Sequence, residues 1–439
     1  MKLPEKPPFN WEELLRKDSE HIFKLVQSKQ KLEQLEAYNN EYYHWSDLLY
    51  RIKDEKERKY FWVIMKFWRS GRYDFISFGS LRLKYTSTSV INQKLNKFDK
   101  YLAGNLAVQT KNLGLEPRYI ISSLMEEAIA SSILEGAVTT RKLAKDMLRQ
   151  KRRPKTKAEK MVVNGYETMQ LIRNKKEEKL TPAFLLDLQT SITKGTLPKE
   201  EDVGKFRDND DTYIVDDKTG TIHHRPPSYK TIERLINELC NFANDDTEFV
   251  HPIVKASILH FLIGYIHPFN DGNGRTARSV FYWYLLSRGY WLFEYMALSR
   301  RILRSHTNYY RAYLCSEYDE MDLTYFIKYI ATCVEDSLED LLEYLKRKQI
   351  EQHDAKLILD KLTDLNFRQA SILEDMMKNN HKYYSVQEIS QTYHVANQTA
   401  RTDLLYLTKL GYLRIRQQGR AYLFICDENC ESNLRSIIS

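Results

Sequence analysis

The stretch of sequence that decides the interpretation of this chain is HPFNDGNGRTAR, from His267 to Arg278. A helix is predicted over Pro252–Ile266, and its apolar part Ala256–Ile266, which leads into this stretch, has a composition typical of a buried helix. The His-Pro pair ends that run, and a second helix is predicted to begin near Arg275. Between them lies a glycine-rich turn, Asp271-Gly272-Asn273-Gly274, that opens on a helix N-terminus. Unpaired N–H groups and the helix dipole at such a terminus favour a bound anion, above all a phosphate.

The side chains of this loop fit the same ligand. Arg275 and Arg278 are three residues apart, so their guanidinium groups can share one helix face and bind phosphate oxygens in pairs. Asp271 offers a hard oxygen ligand, suited to a Mg²⁺ ion that also touches phosphate. An imidazole titrates close to neutral pH, so His267 can accept a proton from an attacking hydroxyl. A base, a metal ligand and an anion nest together predict a site for phosphoryl or nucleotidyl transfer.

This loop resembles, without a mismatch, the Fic motif H-x-F-x-D/E-G-N-G-R-x-x-R. The resemblance implies a protein adenylyltransferase, which moves AMP from ATP to a protein hydroxyl with Mg²⁺ as cofactor. It implies that His267 is the general base and that Asp271 holds Mg²⁺ between the α- and β-phosphates. It also implies a set of phosphate-binding residues, in which the asparagine acts through its side chain: Gly272, Asn273, Gly274, Arg275 and Arg278. Phe269 would anchor the loop in the core.

The resemblance covers about residues 85–345. Gly204-Lys205-Phe206-Arg207 and a hairpin predicted in residues 211–224 resemble the family's flap, which pairs with an extended target segment by strand addition. The related phosphotransferase branch has lysine at the position of Gly274. The resemblance therefore favours transfer of AMP over transfer of phosphate.

Upstream, Ser131-Ser132-Ile133-Leu134-Glu135-Gly136 resembles the inhibitory motif S/T-x-x-x-E-G/N of auto-inhibited Fic proteins. Ser131 and Glu135 are four residues apart and share a helix face, and Gly136 suits a helix C-cap. The resemblance implies a salt bridge between Glu135 and Arg278, which would keep this arginine from the γ-phosphate and leave the α-phosphate misaligned. The alternative is that Glu135 is an ordinary surface carboxylate at a helix end.

Composition sets the wider limits. The chain has 439 residues, 42% of them hydrophobic and 29% charged, which is typical of a soluble protein with several domains. No apolar stretch reaches about 18 residues, and the N-terminus lacks an apolar signal segment, so no membrane helix and no secretory signal are predicted. The five cysteines then indicate reduced thiols and a cytoplasmic location. Cys426 and Cys430 are the one pair of cysteines close in sequence. No second Cys or His pair stands at metal-ligand spacing, so a metal site is not favoured there.

The sequence predicts a mainly α fold: a Fic-type helical core with a small β-hairpin flap, plus a C-terminal winged helix-turn-helix domain. Residues 1–84 are interpreted as a helical N-terminal region of unknown role, whose aromatic side chains pack together. Residues 85–180 are predicted to hold the N-terminal helices of the Fic fold, with the inhibitory motif at the end of Pro117–Leu134. Residues 181–345 are the predicted catalytic core, and residues 355–430 the winged-helix domain.

The last domain is predicted from helices at Arg368–Lys378, Val386–Tyr393 and Asn397–Leu410, followed by two strands within residues 411–425. The third helix would present polar side chains to a DNA groove, and the wing would offer arginines to phosphates. These candidate DNA contacts are Asn397, Gln398, Arg401, Thr402, Arg414, Arg416 and Arg420. Winged helices also bind proteins, so the fold leaves both partners open.

Three functions stay open at this point. The first is an auto-inhibited AMP transferase that uses ATP and Mg²⁺, with a target protein that the sequence does not identify. The second is a DNA-binding regulator whose Fic core senses nucleotides; an intact His267 favours the first, because sensing needs no base. The third is transfer of another phosphate-containing group, such as UMP or phosphocholine. The sequence also does not decide whether the protein modifies itself, whether it removes AMP, or whether it forms a homodimer.

Overall fold

The structure is a computed structural model, and it describes residues 4–103, 117–215, 220, 222–361, 364–378, 383–418 and 421–425. Helices dominate these residues, which confirms the mainly α prediction. The chain divides into two compact units. The first unit comprises Met1–Gly104, Glu127–Val138 and Thr156–Ser337. The second comprises Asn105–Glu126, Thr139–Lys155 and Leu338–Ser439, and the domain limits at 84, 180, 345 and 355 stay predictions.

The N-terminal part of the first unit is a helical layer followed by a hairpin. Its helices are α1 (Trp11–Gln27), α2 (Lys29–Asn40), α3 (Trp45–Arg51) and α4 (Glu55–Ser70). Asn10 and Asp54 cap α1 and α4 by accepting hydrogen bonds from free N–H groups of the first turn. Aromatic side chains such as Trp45, Phe61 and Trp62 are buried in the core of this layer, which is the packing role predicted for them.

A two-stranded sheet follows, and the helical interpretation of residues 1–84 did not include it. Strands β1 (Asp74–Phe78) and β2 (Leu81–Tyr85) pair antiparallel around Gly79, whose φ is +59°. Glycine adopts this left-handed conformation at little cost, and it allows the chain to reverse there. The strands are five residues long, and only β2 buries a run of residues, so no clear period-2 pattern marks them.

A buried ionic network fixes α4 against residues 319–325 within the first unit. Lys66 and Asp319 lie 2.6 Å apart, and both side chains are almost fully buried. Arg69 donates a hydrogen bond to the Tyr325 hydroxyl, which in turn donates to Asp319. Burial alone would raise the pKa of Asp319, but Lys66 and its neighbours bring that pKa to about 2, so the carboxylate stays charged. A buried, hydrogen-bonded cluster of this kind favours one geometry for the contact.

The central part of the first unit supplies the helices around the candidate site. In chain order, the helices that follow are α5 (Ser89–Leu102), α6 (Pro117–Leu134), α7 (Arg141–Arg149), α8 (Lys157–Asn174), α9 (Pro182–Thr193), α10 (Ile232–Asn244), α11 (Pro252–Ile266), α12 (Asn273–Ser287), α13 (Leu298–Arg304), α14 (His306–Tyr318) and α15 (Thr324–Lys361). Of these, α7 belongs to the second unit, α6 begins in the second unit and α15 ends in it. The predicted bounds of α6 and α11 are confirmed at both ends. Nearly every residue of α11 is buried, as expected of a helix that is apolar on all sides. It is the central helix on which the site is built.

The predicted flap is present as a short hairpin. Strands β3 (Ile214–Val215) and β4 (Ile222–His224) pair antiparallel with a register irregularity. Most of the predicted turn between them lies outside the described residues.

The winged-helix prediction is confirmed in the second unit. Its elements are α16 (Phe367–Lys378), β5 (Tyr383–Tyr384), α17 (Val386–Tyr393), α18 (Asn397–Lys409), β6 (Arg414–Gln418) and β7 (Ala421–Ile425). The strands form a sheet in the order β5-β7-β6. The short strand β5 was not predicted from the sequence. Asp403 of α18 is buried and accepts hydrogen bonds from Asn366, Arg368 and Gln369, which holds α16 against α18. Arg420, Cys426 and Cys430 lie outside the described residues.

Within the described ranges, none of the helices combines the length and the apolar character that a membrane crossing requires.

The Lys66–Asp319 pair yields a stability prediction. Replacing Lys66 with alanine leaves Asp319 buried without its nearest cation, so the free energy of unfolding of the first unit should fall by about 3–5 kcal/mol. Urea unfolding followed by tryptophan fluorescence measures this change. Lys24→Ala is the control, because Lys24 pairs with Glu20 on an exposed surface and should leave the midpoint nearly unchanged. Equal midpoints for the two variants would contradict the role of the network.

Candidate active site

The motif forms the loop between α11 and α12, and two left-handed residues give it its shape. His267 ends α11 with φ +49° and ψ +57°, and its N–H donates to the Ile263 carbonyl. Gly272 precedes α12 with φ +90°, which a residue with a Cβ would adopt only under strain. The helix predicted near Arg275 therefore begins two residues earlier, at Asn273.

Phe269 and Asn273 brace the loop from inside. The Phe269 side chain is fully buried and stacks on Phe206, with ring centroids 5.4 Å apart. The Asn273 amide accepts a hydrogen bond from the Phe269 N–H at 2.9 Å and donates one to the Phe269 carbonyl at 2.7 Å. Both ends of this buried amide are thereby occupied. These hydrogen bonds give the Asn273 side chain a structural role, and the phosphate contact that the resemblance implied for it stays a prediction.

Arg207 joins this loop to the flap, and the sequence indicated only that it belongs to a flap motif. Its side chain is buried, and its Nε donates to the His267 carbonyl at 2.9 Å. The backbone N–H of Arg207 donates to the Pro268 carbonyl. The same guanidinium donates to Asn209, Asp210 and the Pro227 carbonyl. One side chain thus fixes the backbone of the candidate base and both ends of the flap segment. Because these contacts join residues that are distant in sequence, no local sequence pattern predicts them.

The geometry around His267 leaves one ring nitrogen available as a base. Its Nδ1 lies 3.2 Å from the Gly264 carbonyl oxygen. Because a carbonyl only accepts, Nδ1 carries the proton and Nε2 keeps a free lone pair. Burial lowers the pKa of His267 to about 4, although the Gly264 carbonyl opposes this shift, and the nearby His224 lowers it further. The imidazole is therefore neutral at pH 7 and able to accept a proton.

Asp271 and Arg275 contact each other and the neighbouring helix. Asp271 Oδ1 accepts from the Gly272 N–H and from Arg275 Nη2, the latter at 3.1 Å. Arg275 Nη1 donates to the Ile192 carbonyl at the end of α9, and the residue is buried. In this arrangement Arg275 supports the loop as well as adding positive charge beneath it.

Asp271 fits the single-carboxylate role that a magnesium site in a nucleotide pocket requires. Mg²⁺ in such pockets is commonly held by one or two carboxylates together with substrate phosphates. The Asp271 side chain is 39% exposed, and within the described part of the chain its Oδ2 accepts no protein hydrogen bond. Among those same residues, no cluster of three or more His, Cys, Asp or Glu side chains could hold a metal by itself. A metal here would therefore depend on phosphate oxygens for its other ligands.

Arg278 and the end of α6 are joined by the ion pair that the resemblance implied. Arg278 Nη2 lies 2.8 Å from Glu135 Oε1, and both Nε and Nη2 donate to Ser131. Helix α6 stops at this point because Gly136 adopts φ +83° and the N–H groups of residues 136 and 137 turn back to Ile133 and Ser132. This is a Schellman-type C-cap, and it places Glu135 beside the loop.

The carboxylate of Glu135 also lies against the backbone of the glycine-rich turn. A Cβ added at Gly274 would collide with Glu135 Oε1. Burial alone would raise the pKa of Glu135, but Arg278 and Arg275 hold it below its usual value, so the group is an anion at neutral pH. An anion therefore already lies at the N-terminus of α12, where unpaired N–H groups favour one.

A second carboxylate, which the sequence did not single out, lies one layer deeper. Glu127 is buried in α6 and accepts hydrogen bonds from the Tyr282 hydroxyl and from the N–H and hydroxyl of Ser299. Burial raises the pKa of Glu127, although these donors and Arg278 act against the shift. Its contacts fix α6, and hence Ser131 and Glu135, against α12 and the start of α13.

The comparisons with known proteins agree with this geometry. Residues 179–285 match the model of the Fic/DOC family. This chain therefore carries a Fic domain. The matched range includes the flap, α11 and the whole loop of the motif. Residues 368–424 match the model of the DeoR-like helix-turn-helix domain, in agreement with the winged helix of the second unit.

Curated relatives of the Fic domain are similar to it over a limited range. The protein adenylyltransferase Fic of Nematostella vectensis is 28% identical over 169 residues, which is 38% of this chain and 35% of that protein. The protein adenylyltransferase Fic of Aedes aegypti is 32% identical over 117 residues, which is 26% of this chain and 22% of that protein. The matches thus span about a third or less of these relatives.

Solved structures share the fold over a larger part of the chain. A Fic family protein from Desulfovibrio desulfuricans G20 has a TM-score of 0.50 at 16% identity, over 77% of this chain and 95% of its own. Fic-1 from C. elegans has the same score and identity, over 74% and 88%. At this identity the likeness shows the fold alone.

The brace inside the loop yields a prediction with a matched control. Asn273→Ala removes two buried hydrogen bonds, so the free energy of unfolding of the first unit should fall by about 2 kcal/mol. Asn270→Ala changes an exposed asparagine of the same loop and should leave the free energy of unfolding nearly unchanged. Urea unfolding of both variants measures the difference. A stability loss for Asn270→Ala as large as that for Asn273→Ala would contradict the internal brace.

Proposed function

We propose that this chain is a protein adenylyltransferase whose activity is inhibited by Glu135. The observation that carries the proposal is the position of the Glu135 carboxylate. It lies on Arg278 and against Gly274, in the same anion nest that would hold the terminal phosphates of ATP. The relatives named protein adenylyltransferase Fic support AMP as the transferred group, and Gly274 leaves no side chain in the cradle.

The transfer step follows from the residues around the loop. A hydroxyl of the target loses its proton to Nε2 of His267 as its oxygen attacks the α-phosphorus of ATP. A new bond forms between that oxygen and the phosphorus, the bond from phosphorus to the bridging oxygen breaks, and pyrophosphate leaves with the electron pair. The N-terminal N–H groups of α12 and the Arg278 guanidinium would stabilise the charge on the phosphates. The hydrogen bond from Nδ1 to Gly264 keeps the base oriented.

Mg²⁺, when bound with the nucleotide, would neutralise phosphate charge, and Asp271 would be its protein ligand. Arg275 fixes one oxygen of that carboxylate and leaves the other open.

Inhibition in this proposal is competition between two anions. Arg278 is buried, and its Nε and Nη2 donate to Ser131 and Glu135, so a γ-phosphate meets a partly occupied guanidinium and a negative charge. A triphosphate displaced from this position would not present its α-phosphorus in line with the hydroxyl near His267. Removing the carboxylate would free the arginine without changing the loop.

This proposal is tested with labelled ATP. The Glu135→Gly variant should incorporate label from [α-³²P]ATP at least tenfold faster than the parent, because an aligned triphosphate gains a full arginine contact. Adding His267→Ala to that variant should abolish the label, because no base remains. Glu178→Gly, at an exposed site beyond the end of α8, is the control and should behave as the parent.

Label from [γ-³²P]ATP instead would indicate phosphate transfer, and label from UTP or CDP-choline alone would indicate a different donor. Label that persists after His267→Ala would contradict the assigned base. Equal rates for Glu135→Gly and the parent would contradict the inhibitory role.

A second candidate function, DNA binding, is favoured by the surface of α18. Asn397, Gln398, Arg401 and Thr402 are all exposed on its first turns, while Ala400, Asp403 and Leu404 face the core. Arg414 and Arg416 are exposed on the wing. The match to the DeoR-like helix-turn-helix domain supports the same reading. In this proposal the Fic core would sense nucleotides in a chain that also carries a DNA-binding module.

A gel shift on random duplex DNA tests this second function across salt concentration. Arg401→Ala should weaken binding by about 1–3 kcal/mol, since Arg401 lies on the face expected to enter a groove. Lys409→Ala, an exposed cation at the far end of the same helix, is the matched control and should change binding little. Absence of a salt-dependent shift for the parent would favour a protein partner for this domain.

A further inference from the structure

Helix α7 and the turn that follows it carry most of the net positive charge of this chain. Residues 141–155 contain eight Lys or Arg and one Asp, a net charge of +7, in a chain whose net charge is +8. The range matched by the helix-turn-helix model, residues 368–424, contains eight Lys or Arg and four Asp or Glu over a much longer segment. Both segments belong to the second compact unit. The positive charge is therefore denser outside the winged helix than within it.

The basic turn, residues 149–155, presents its charge on an ordered backbone. Its five cationic side chains are all exposed: Arg149, Lys151, Arg152, Arg153 and Lys155. The Arg152 N–H donates to the Met147 carbonyl at 3.1 Å and the Lys151 N–H to the Leu148 carbonyl at 3.2 Å, which closes α7 with a Schellman-type cap. Lys151 takes the left-handed position of this cap, with φ +49°. The turn thus keeps a cation where the backbone would favour glycine.

Contacts within the fold explain only part of this charge. Arg141 and Lys145 both bind the carboxylate of Glu126, and Arg149 lies at the C-terminus of α7, where the helix dipole favours a cation. The four cations that follow lie within five residues, and like charges this close repel one another. Burial lowers the pKa of Lys145, and the charges of Arg149 and Arg141 lower it further, although Glu126 opposes them. A polyanion at the basic turn would remove this repulsion.

We propose that the basic turn binds the phosphate backbone of duplex DNA, in addition to the groove contacts proposed for α18. The inference rests on the second proposed function, DNA binding by the winged helix. In this division of roles the basic turn adds affinity that does not depend on sequence, while α18 reads base edges. The arginines of the turn suit this role, because one guanidinium can bind two phosphate oxygens at once.

The composition of this segment favours duplex DNA over other polyanions. A duplex carries about one negative charge per 1.7 Å of its axis, so closely spaced cations can each meet a phosphate. Residues 141–155 contain no aromatic side chain on which the bases of a single strand could stack. Apart from Pro154, the basic turn has no apolar side chain that could insert into a bilayer.

Fluorescence anisotropy of a labelled random duplex with the full-length protein, measured across salt concentration, tests this inference. The triple variant Arg152→Ala, Arg153→Ala, Lys155→Ala should bind at least tenfold more weakly at low salt. The slope of its log affinity against log salt should be shallower by about 2–3, because each lost phosphate contact removes about 0.9.

A matched control removes the same charge from exposed positions of the first unit. The triple variant Arg16→Ala, Lys17→Ala, Lys29→Ala should keep the slope of the parent. Gln398→Ala is a neutral change on the exposed face of α18, and it should weaken binding without changing the slope.

Equal slopes for the parent and the variant of the basic turn would overturn this inference and leave DNA binding by α18 intact. Loss of binding to phosphatidylserine vesicles in the turn variant, with DNA binding unchanged, would also overturn it in favour of a membrane surface. If Gln398→Ala and Arg401→Ala have no effect while the turn variant loses slope, α18 does not read DNA and the basic turn stands. A parent that binds no DNA at any salt concentration would refute both proposals.

Discussion

The ion pair between Arg278 and Glu135 is the interaction on which the account of this protein depends. It joins the end of α6 to the second turn of α12, and it places a carboxylate where the helix terminus and two arginines favour an anion. Such a pair is stable only because its surroundings are fixed. Glu127 holds α6 from behind through Tyr282 and Ser299, and the Gly136 cap ends α6 at the point of contact.

The loop that faces this pair is rigid for reasons that concern the backbone more than the catalytic groups. His267 and Gly272 turn the chain with positive φ angles, and Asn273 closes the interior of the turn on Phe269. Arg207 then attaches the flap to the same backbone. The candidate base, one open oxygen of Asp271 and the N-terminus of α12 are therefore held at defined positions by contacts within the chain. Preorganisation of this kind is what nucleotidyl transfer needs, since the chemistry consists mostly of alignment and charge stabilisation.

The sequence predicted those parts of the fold whose cause is local. Helices α6 and α11 were predicted at both ends, because apolar runs bounded by Pro117, Pro252, Gly136 and His267-Pro268 leave little freedom in their limits. The loop motif placed the candidate base and the anion nest. The roles of Arg207 and Glu127 and the inward amide of Asn273 depend on neighbours that are distant in the chain or on how the turn folds back. The β1–β2 hairpin was missed because its short strands lack a clear alternation.

A crystal structure of Glu135→Gly with Mg²⁺ and a non-hydrolysable ATP analogue would show whether the Glu135 carboxylate occupies the anion site of the nucleotide. We expect the γ-phosphate on the Arg278 guanidinium, the phosphates over the N-terminus of α12, and His267 Nε2 facing the side from which a hydroxyl would approach the α-phosphorus. This expectation would be contradicted by an analogue bound away from this loop, or by triphosphate in the same position in the parent while Glu135 still contacts Arg278.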